Sequence, residues 1–97
     1  MTVIAASVET LAVGTPGAWF SVTGSSFVAD IDTAGTVYLE TRRDASDATP
    51  KMVASEKSGA DVRPRIVGPC SVLVASVAGR QYRFMAVAGS PKVAADQ

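Results

Sequence analysis

The sequence is rich in side chains that branch at Cβ, and this feature restricts its fold more than any other. Valine, isoleucine and threonine supply 14, 3 and 8 of the 97 residues, against only three leucines. Branching stiffens the first side-chain torsion, which suits a pleated, half-buried strand better than a helix. The 16 alanines are scattered among valine, serine, threonine and glycine rather than grouped with strong helix formers. The chain is therefore predicted to be all-β.

Alternation of apolar and polar residues supports the same prediction. Phe20 and Val22 fall on one face of a strand, and Trp19 falls on the other. Val37 and Leu39 are likewise two residues apart, which places both on one side of a pleated strand. Glycines and prolines separate the apolar runs at intervals that match strand lengths. We predict eight strands, over residues 3–13, 18–23, 26–32, 35–43, 50–56, 61–67, 70–78 and 80–88.

Strands on this spacing predict a single antiparallel β-sandwich over residues 1–97, either jelly-roll or immunoglobulin-like. Closure into a small barrel is the alternative. Residues 1–14 are expected to form an N-terminal strand or arm, and residues 33–35 a turn between two strands. Residues 89–97 are small and polar, which predicts a loose tail.

The residue types argue against catalysis and against several kinds of partner. Histidine is absent and Cys70 is the single cysteine, so no imidazole base, disulfide framework or cysteine-rich zinc site is expected. Cys70 opens an apolar strand and is interpreted as a small packing residue rather than a nucleophile. Nine basic residues balance nine acidic residues, so no net charge favours nucleic acid or acidic membranes. We predict a protein that is not an enzyme and needs no cofactor.

The first residues show no targeting signal. No basic region precedes the apolar residues of the N-terminus, and Ser7, Glu9 and Thr10 interrupt them early. No window reaches the roughly 18 to 20 apolar residues that span a bilayer. These observations predict a product that is made and kept in a cytoplasm, with its thiol reduced.

Two aspartates, Asp30 and Asp32, lie just before the predicted turn. Carboxylate oxygens are preferred ligands of Ca²⁺, so the pair is a weak candidate for a cation site. The alternative is a solvated strand end, because a calcium loop needs further oxygen ligands at defined spacing. We favour the solvated strand end.

Several features favour contacts with other proteins. Trp19 is interpreted as a core residue, and burial against another chain is the alternative, since both faces of its strand carry a large apolar group. Six arginines against three lysines are a mild sign of protein interfaces, because the planar guanidinium pairs with carboxylates. The N-terminal segment has neither lysine nor proline to protect an open strand edge. The candidate interface residues are Ile4, Val8, Leu11, Trp19, Arg42, Arg43 and Asp44.

Two segments carry a resemblance to a known class of proteins. The segment GTVYLETRRD at residues 35–44 and the segment GRQYRF at residues 79–84 resemble strands in head and tail proteins of tailed bacteriophages. Within that class, the chain is most similar to the small capsid decoration, or cement, proteins. The resemblance implies a virion protein assembled in the host cytoplasm, bound outside the capsid at joints between major capsid subunits. It also implies a homo-oligomer, either a dimer or a trimer.

Two other functions remain open from the sequence. One is a structural component of the tail or baseplate, which would be present in few copies per particle. The other is a module that binds a small ligand or carbohydrate, which predicts an exposed aromatic strip or a cation at Asp30 and Asp32. An enzyme is a distant third, because side chains for acid–base chemistry are mostly lacking.

Overall fold

A computed structural model describes residues 9–53 and 65–96, and within these ranges the chain is all-β, as predicted. The strands form one antiparallel, curled sheet. They are β1 (Glu9–Thr10), β2 (Phe20–Ser21), β3 (Ser26–Arg42), β4 (Lys51–Met52), β5 (Ile66–Ala75), β6 (Gln81–Ala88) and β7 (Lys92–Asp96). The described residues contain no helix long and apolar enough to cross a membrane.

Strand β3 organises the sheet because four other strands pair with it. Residues 28–31 pair with β5 and with β7, which must therefore lie along opposite edges of β3. Further along, residues 40–41 pair with β4 and with β6 in the same way. The sheet is completed by β1, which pairs with β7, and by β2, which pairs with β6.

The turn predicted at residues 33–35 is wrong, because β3 runs through it as one strand of 17 residues. The register with β5 shifts between Ile31 and Gly35, so the chain bends there without reversing. Gly35 has a φ of +153°, a value that side chains with a Cβ rarely adopt. The small residues that were interpreted as a turn signal mark a bulge in a continuous strand.

The core consists of the inward row of each long strand. Every second residue is buried over residues 27–31 and 37–39 of β3 and over residues 82–86 of β6, and the alternation of the sequence predicted the inward positions of 37–39 and 82–86. Phe20 and Val22 point into this core, whereas Trp19 lies on the opposite face, so its interpretation as a core residue is wrong. The buried apolar residues are Leu11, Phe20, Val22, Phe27, Ala29, Ile31, Val37, Leu39, Tyr82, Phe84, Ala86, Val93, Ala94 and Ala95.

Aromatic contacts show that the sheet curls back on itself. Phe27 lies in the first half of β3, yet its ring contacts Tyr82, whose strand pairs with the second half. The two ring centroids are 5.4 Å apart, and Phe20 meets Phe27 edge-on at 5.5 Å. Edge-on and tilted geometries are favourable for aromatic pairs at this separation. These rings join the two halves of the curled sheet.

The predicted loose tail is wrong for Lys92–Asp96, which form β7. Val93 and Ala95 are buried, and β7 lies between β3 and β1 in the sheet. The segment contains one β-branched residue and two adjacent alanines, so its own preference for a strand is weak. Pairing with β3 overrides that weak local preference.

Other predicted boundaries differ from the observed ones. The predicted strand over 80–88 is observed as β6, whereas the described parts of 3–13, 18–23 and 50–56 contain only two-residue strands. Residues 3–8 and 54–64 lie outside the described residues.

Cys70 is a free, half-buried thiol that packs against the core, as interpreted from the sequence.

Candidate functional site

Trp19 lies on the outer face of the sheet, where two arginine side chains contact its ring. The guanidinium carbon of Arg42 is 4.2 Å from the ring centroid, and that of Arg83 is 4.4 Å away. All three side chains are half-buried. We refer to Trp19, Arg42 and Arg83 as the tryptophan–arginine cluster. At these distances each cation is attracted by the electron-rich face of the indole.

The pairing of β3 with β6 positions both arginines. Glu40 lies opposite Arg83 and Arg42 lies opposite Gln81, so all four side chains share the outer face. Arg83 donates from Nε and Nη2 to Oε1 of Glu40, at 2.8 and 2.6 Å. Arg42 donates from Nε to Oε1 of Gln81 at 2.7 Å. Each guanidinium is therefore held by a partner on the neighbouring strand.

Backbone contacts hold Trp19 against β6. The Gly17 amide donates to the Phe84 carbonyl at 2.9 Å, and the Ala18 amide donates to the Glu9 carboxylate at 3.3 Å. A Cβ at residue 17 would lie 2.9 Å from both acceptor atoms, so only glycine allows this close approach. The segment before Trp19 is thus fixed on both sides.

This arrangement is suited to binding a protein surface. It offers guanidinium N–H donors, which pair with carboxylates, next to an aromatic ring, which packs against apolar groups. Of the two guanidinium groups of the cluster, that of Arg83 is paired with the Glu40 carboxylate and that of Arg42 with the neutral Gln81 amide.

The structure brings together only part of the predicted interface. Trp19 and Arg42 meet in the cluster, and Arg83, which was not predicted as an interface residue, joins them. Leu11 is buried in the core at 3% exposure, so its side chain is not available to a partner. Ile4 and Val8 lie outside the described residues. The register of β3 with β6, which the sequence does not reveal, is what assigns Arg83 to the site.

Arg43 and Asp44 lie apart from the cluster, in a loop that two aspartates close. Asp47 accepts hydrogen bonds from the Arg43 and Thr49 amides, both at 3.0 Å. Asp44 accepts from the Ser46 amide at 2.9 Å and from the Ser46 hydroxyl at 2.6 Å. These contacts shape the loop from within, because aspartate side chains mimic a backbone turn.

The loop predicts a dependence of stability on pH. The Arg43 and Thr49 amides stabilise the carboxylate of Asp47 and lower its pKa from 3.8 to about 2. A lowered pKa in the folded state contributes stability above pH 4 that is lost as the pH falls toward 2. We expect a ¹³C NMR titration of the Asp47 carboxyl to have its midpoint near 2. Asp47→Asn should make the free energy of unfolding less dependent on pH in this range, and a midpoint near 4 would contradict the assignment.

The candidate cation site has a different environment from the one expected. Asp30 and Asp32 lie within β3 rather than at a strand end, and Asp30 accepts a hydrogen bond from the Ser71 hydroxyl. Desolvation, a hydrogen bond with Asp30 and the charge of Asp30 raise the pKa of Asp96 on the neighbouring strand. Among residues 9–53 and 65–96, no three acidic, histidine or cysteine side chains are grouped to hold a metal ion.

Comparison with known proteins gives no further assignment. No family model, curated protein or solved structure matches this chain. What the protein binds must therefore be inferred from the chemistry of its own surface.

Proposed function

We propose that this protein is a non-enzymatic structural protein that binds other protein subunits through the tryptophan–arginine cluster. The contact of one indole ring with two guanidinium groups on the outer face of the sheet carries the proposal. Tryptophan and arginine are enriched among the residues that dominate binding energy at protein interfaces. Glu40 and Gln81 already hold the arginines, so little side-chain entropy is lost on binding.

The assembly that we propose is the virion of a tailed bacteriophage. The two segments that resemble phage structural proteins, residues 35–44 and 79–84, include the two arginines of the cluster, on β3 and β6. In this proposal the protein is a decoration protein that binds the outside of the capsid at joints between major capsid subunits. Each contact can be modest, because attachment to several subunits raises the overall affinity.

A β-sandwich is the finer fold that accompanies this proposal. The two halves of the curled sheet would be its layers, with inner faces packed through Phe27 and the rings of β2 and β6. The two guanidinium groups of the cluster suggest the chemistry of the partner. Its surface would present aspartate or glutamate to Arg42 and Arg83, next to an apolar group that packs on Trp19.

Copy number tests the assembly. We expect quantitative mass spectrometry of purified particles from the source to find this chain at a simple fraction of the major coat protein. A few copies per particle would contradict the decoration role and favour the tail or baseplate. Absence from particles would overturn the virion proposal altogether.

A pair of matched variants tests the binding surface. Arg42→Gln removes a guanidinium from the cluster, whereas Arg43→Gln removes the next guanidinium along the chain, which is exposed in the loop. Particles stripped of the protein would be incubated with each purified variant, and the bound copies per coat subunit measured. We expect Arg42→Gln to weaken binding about tenfold, the loss of a charged hot-spot contact. Arg43→Gln should bind like the wild type, and equal binding by both variants would exclude the cluster.

A further inference from the structure

The outward-facing side chains of strand β5 are uncharged, and one edge of the strand pairs with no described residue. Among the described residues it pairs with β3 alone. The side chains of Val67 and Leu73 are 69% and 73% exposed. Charged side chains are the usual protection of an open strand edge, and residues 66–79 contain none. An edge of this kind associates with another strand.

The register shows which backbone groups face the open edge. The Ser76 amide donates to the Ser25 carbonyl at 2.9 Å, and Ala75 lies opposite Ser26. Backbone groups alternate in direction along an antiparallel strand, so the even-numbered residues of this stretch bond to β3. The N–H and C=O groups of Ser71, Leu73 and Ala75 consequently point the other way.

The backbone groups of Ser71, Leu73 and Ala75 that face the open edge are closed to further pairing at both ends. Pro69, two residues before Ser71, has no N–H to donate. Val77, two residues after Ala75, donates its N–H to the Tyr82 hydroxyl at 3.0 Å. The available groups are therefore symmetric about Leu73.

We propose that two copies of this chain pair antiparallel along β5, about a two-fold axis at Leu73. Leu73 then lies opposite Leu73 of the second copy, and Ser71 lies opposite Ala75. Each of these pairs exchanges two N–H···O=C bonds, and the exposed leucines pack together on one face. Pairing stops where Pro69 of one copy meets Val77 of the other.

The symmetry of the edge favours a second copy over an unrelated strand. A two-fold axis places identical residues opposite each other, so a charged side chain at its centre would face a like charge. The strand carries no charge to repel itself. The dimer does not use the tryptophan–arginine cluster, so it is independent of the proposed function.

Sedimentation of the full chain over a range of concentrations tests the dimer. We expect the wild type to form dimers and Leu73→Lys to raise the dissociation constant by about tenfold or more, because two lysines then meet at the axis. Val67→Lys is the matched control, since Val67 is equally exposed on the same face but lies beyond Pro69. It should dimerise like the wild type, and Trp19 fluorescence should show that all variants are folded.

A mixing experiment tests the register itself. Leu73→Glu chains alone should also be monomeric, whereas an equimolar mixture with Leu73→Lys chains should form heterodimers. This rescue requires residue 73 to face residue 73 of the other copy. A wild type that stays monomeric, a Leu73→Lys variant that stays dimeric, or a mixture that stays monomeric would each overturn the proposal.

Discussion

Replacing Phe27 with alanine should lower the free energy of unfolding by about 4 kcal/mol, in the range found for buried phenylalanines. Phe27 is 1% exposed, and its ring contacts Phe20 and Tyr82. The substitution removes the contact between the two halves of the curled sheet and leaves a cavity. Small domains are stabilised by only about 5–15 kcal/mol, so this is a large share of the total.

Chemical denaturation and thermal unfolding would measure this loss. A decrease of about 4 kcal/mol corresponds to roughly 20 °C in the melting temperature of a domain this size. Phe27→Leu keeps much of the volume and should cost about 1.5 kcal/mol or less. Val67→Ala truncates a side chain that is 69% exposed and should change stability by less than about 0.5 kcal/mol. Similar stabilities for Phe27→Ala and Phe27→Leu would show that the ring does not join the two halves.

The second large effect is expected for Gly68→Ala, at about 3 kcal/mol of lost stability. Gly68 lies opposite Gly35 at the bulge between β3 and β5. A Cβ at residue 68 would be 2.7 Å from the Thr33 carbonyl oxygen and would overlap the side chain of Ile31. Because one of these neighbours is backbone in the same sheet, the clash is relieved only by moving β3 away from β5.

Gly14→Ala separates this packing effect from the general cost of replacing a glycine. Gly14 has a φ of +88°, but a Cβ there would meet no atom within 4 Å. The variant should therefore lose only about 1 kcal/mol, the cost of the left-handed backbone. Equal losses for the two variants in urea denaturation would argue against a clash at Gly68.

The sequence predicts the class of fold and the inward residues of β6 and of the second half of β3, because both depend on local alternation. It fails where distant pairing decides the outcome. Residues 33–35 have the composition of a turn, but β5 pairs on both sides of them and keeps β3 continuous. Residues 92–96 contain only one strong strand former, Val93, yet β3 and β1 pair with them along both edges.

The candidate site is predictable to a similar extent. Trp19 and Arg42 stand out by residue type, and alternation correctly places Trp19 opposite the core side of its strand. Arg83 is more than 40 residues from Arg42, and only the register of β6 against β3 brings them to one ring. Leu11 has the residue type of an interface position, but its burial depends on how the chain folds over β7.

The position of β7 also has a consequence for the newly made chain. Residues 28–31 of β3 are synthesised more than 60 residues before the strand that covers one of their edges. A nascent chain that ends at Ala88 exposes this edge, so it is open to pairing with strands of other nascent chains. This edge of β3 can be covered only after residues 92–96 leave the ribosome, so the first half of β3 waits for the strand made more than 60 residues later.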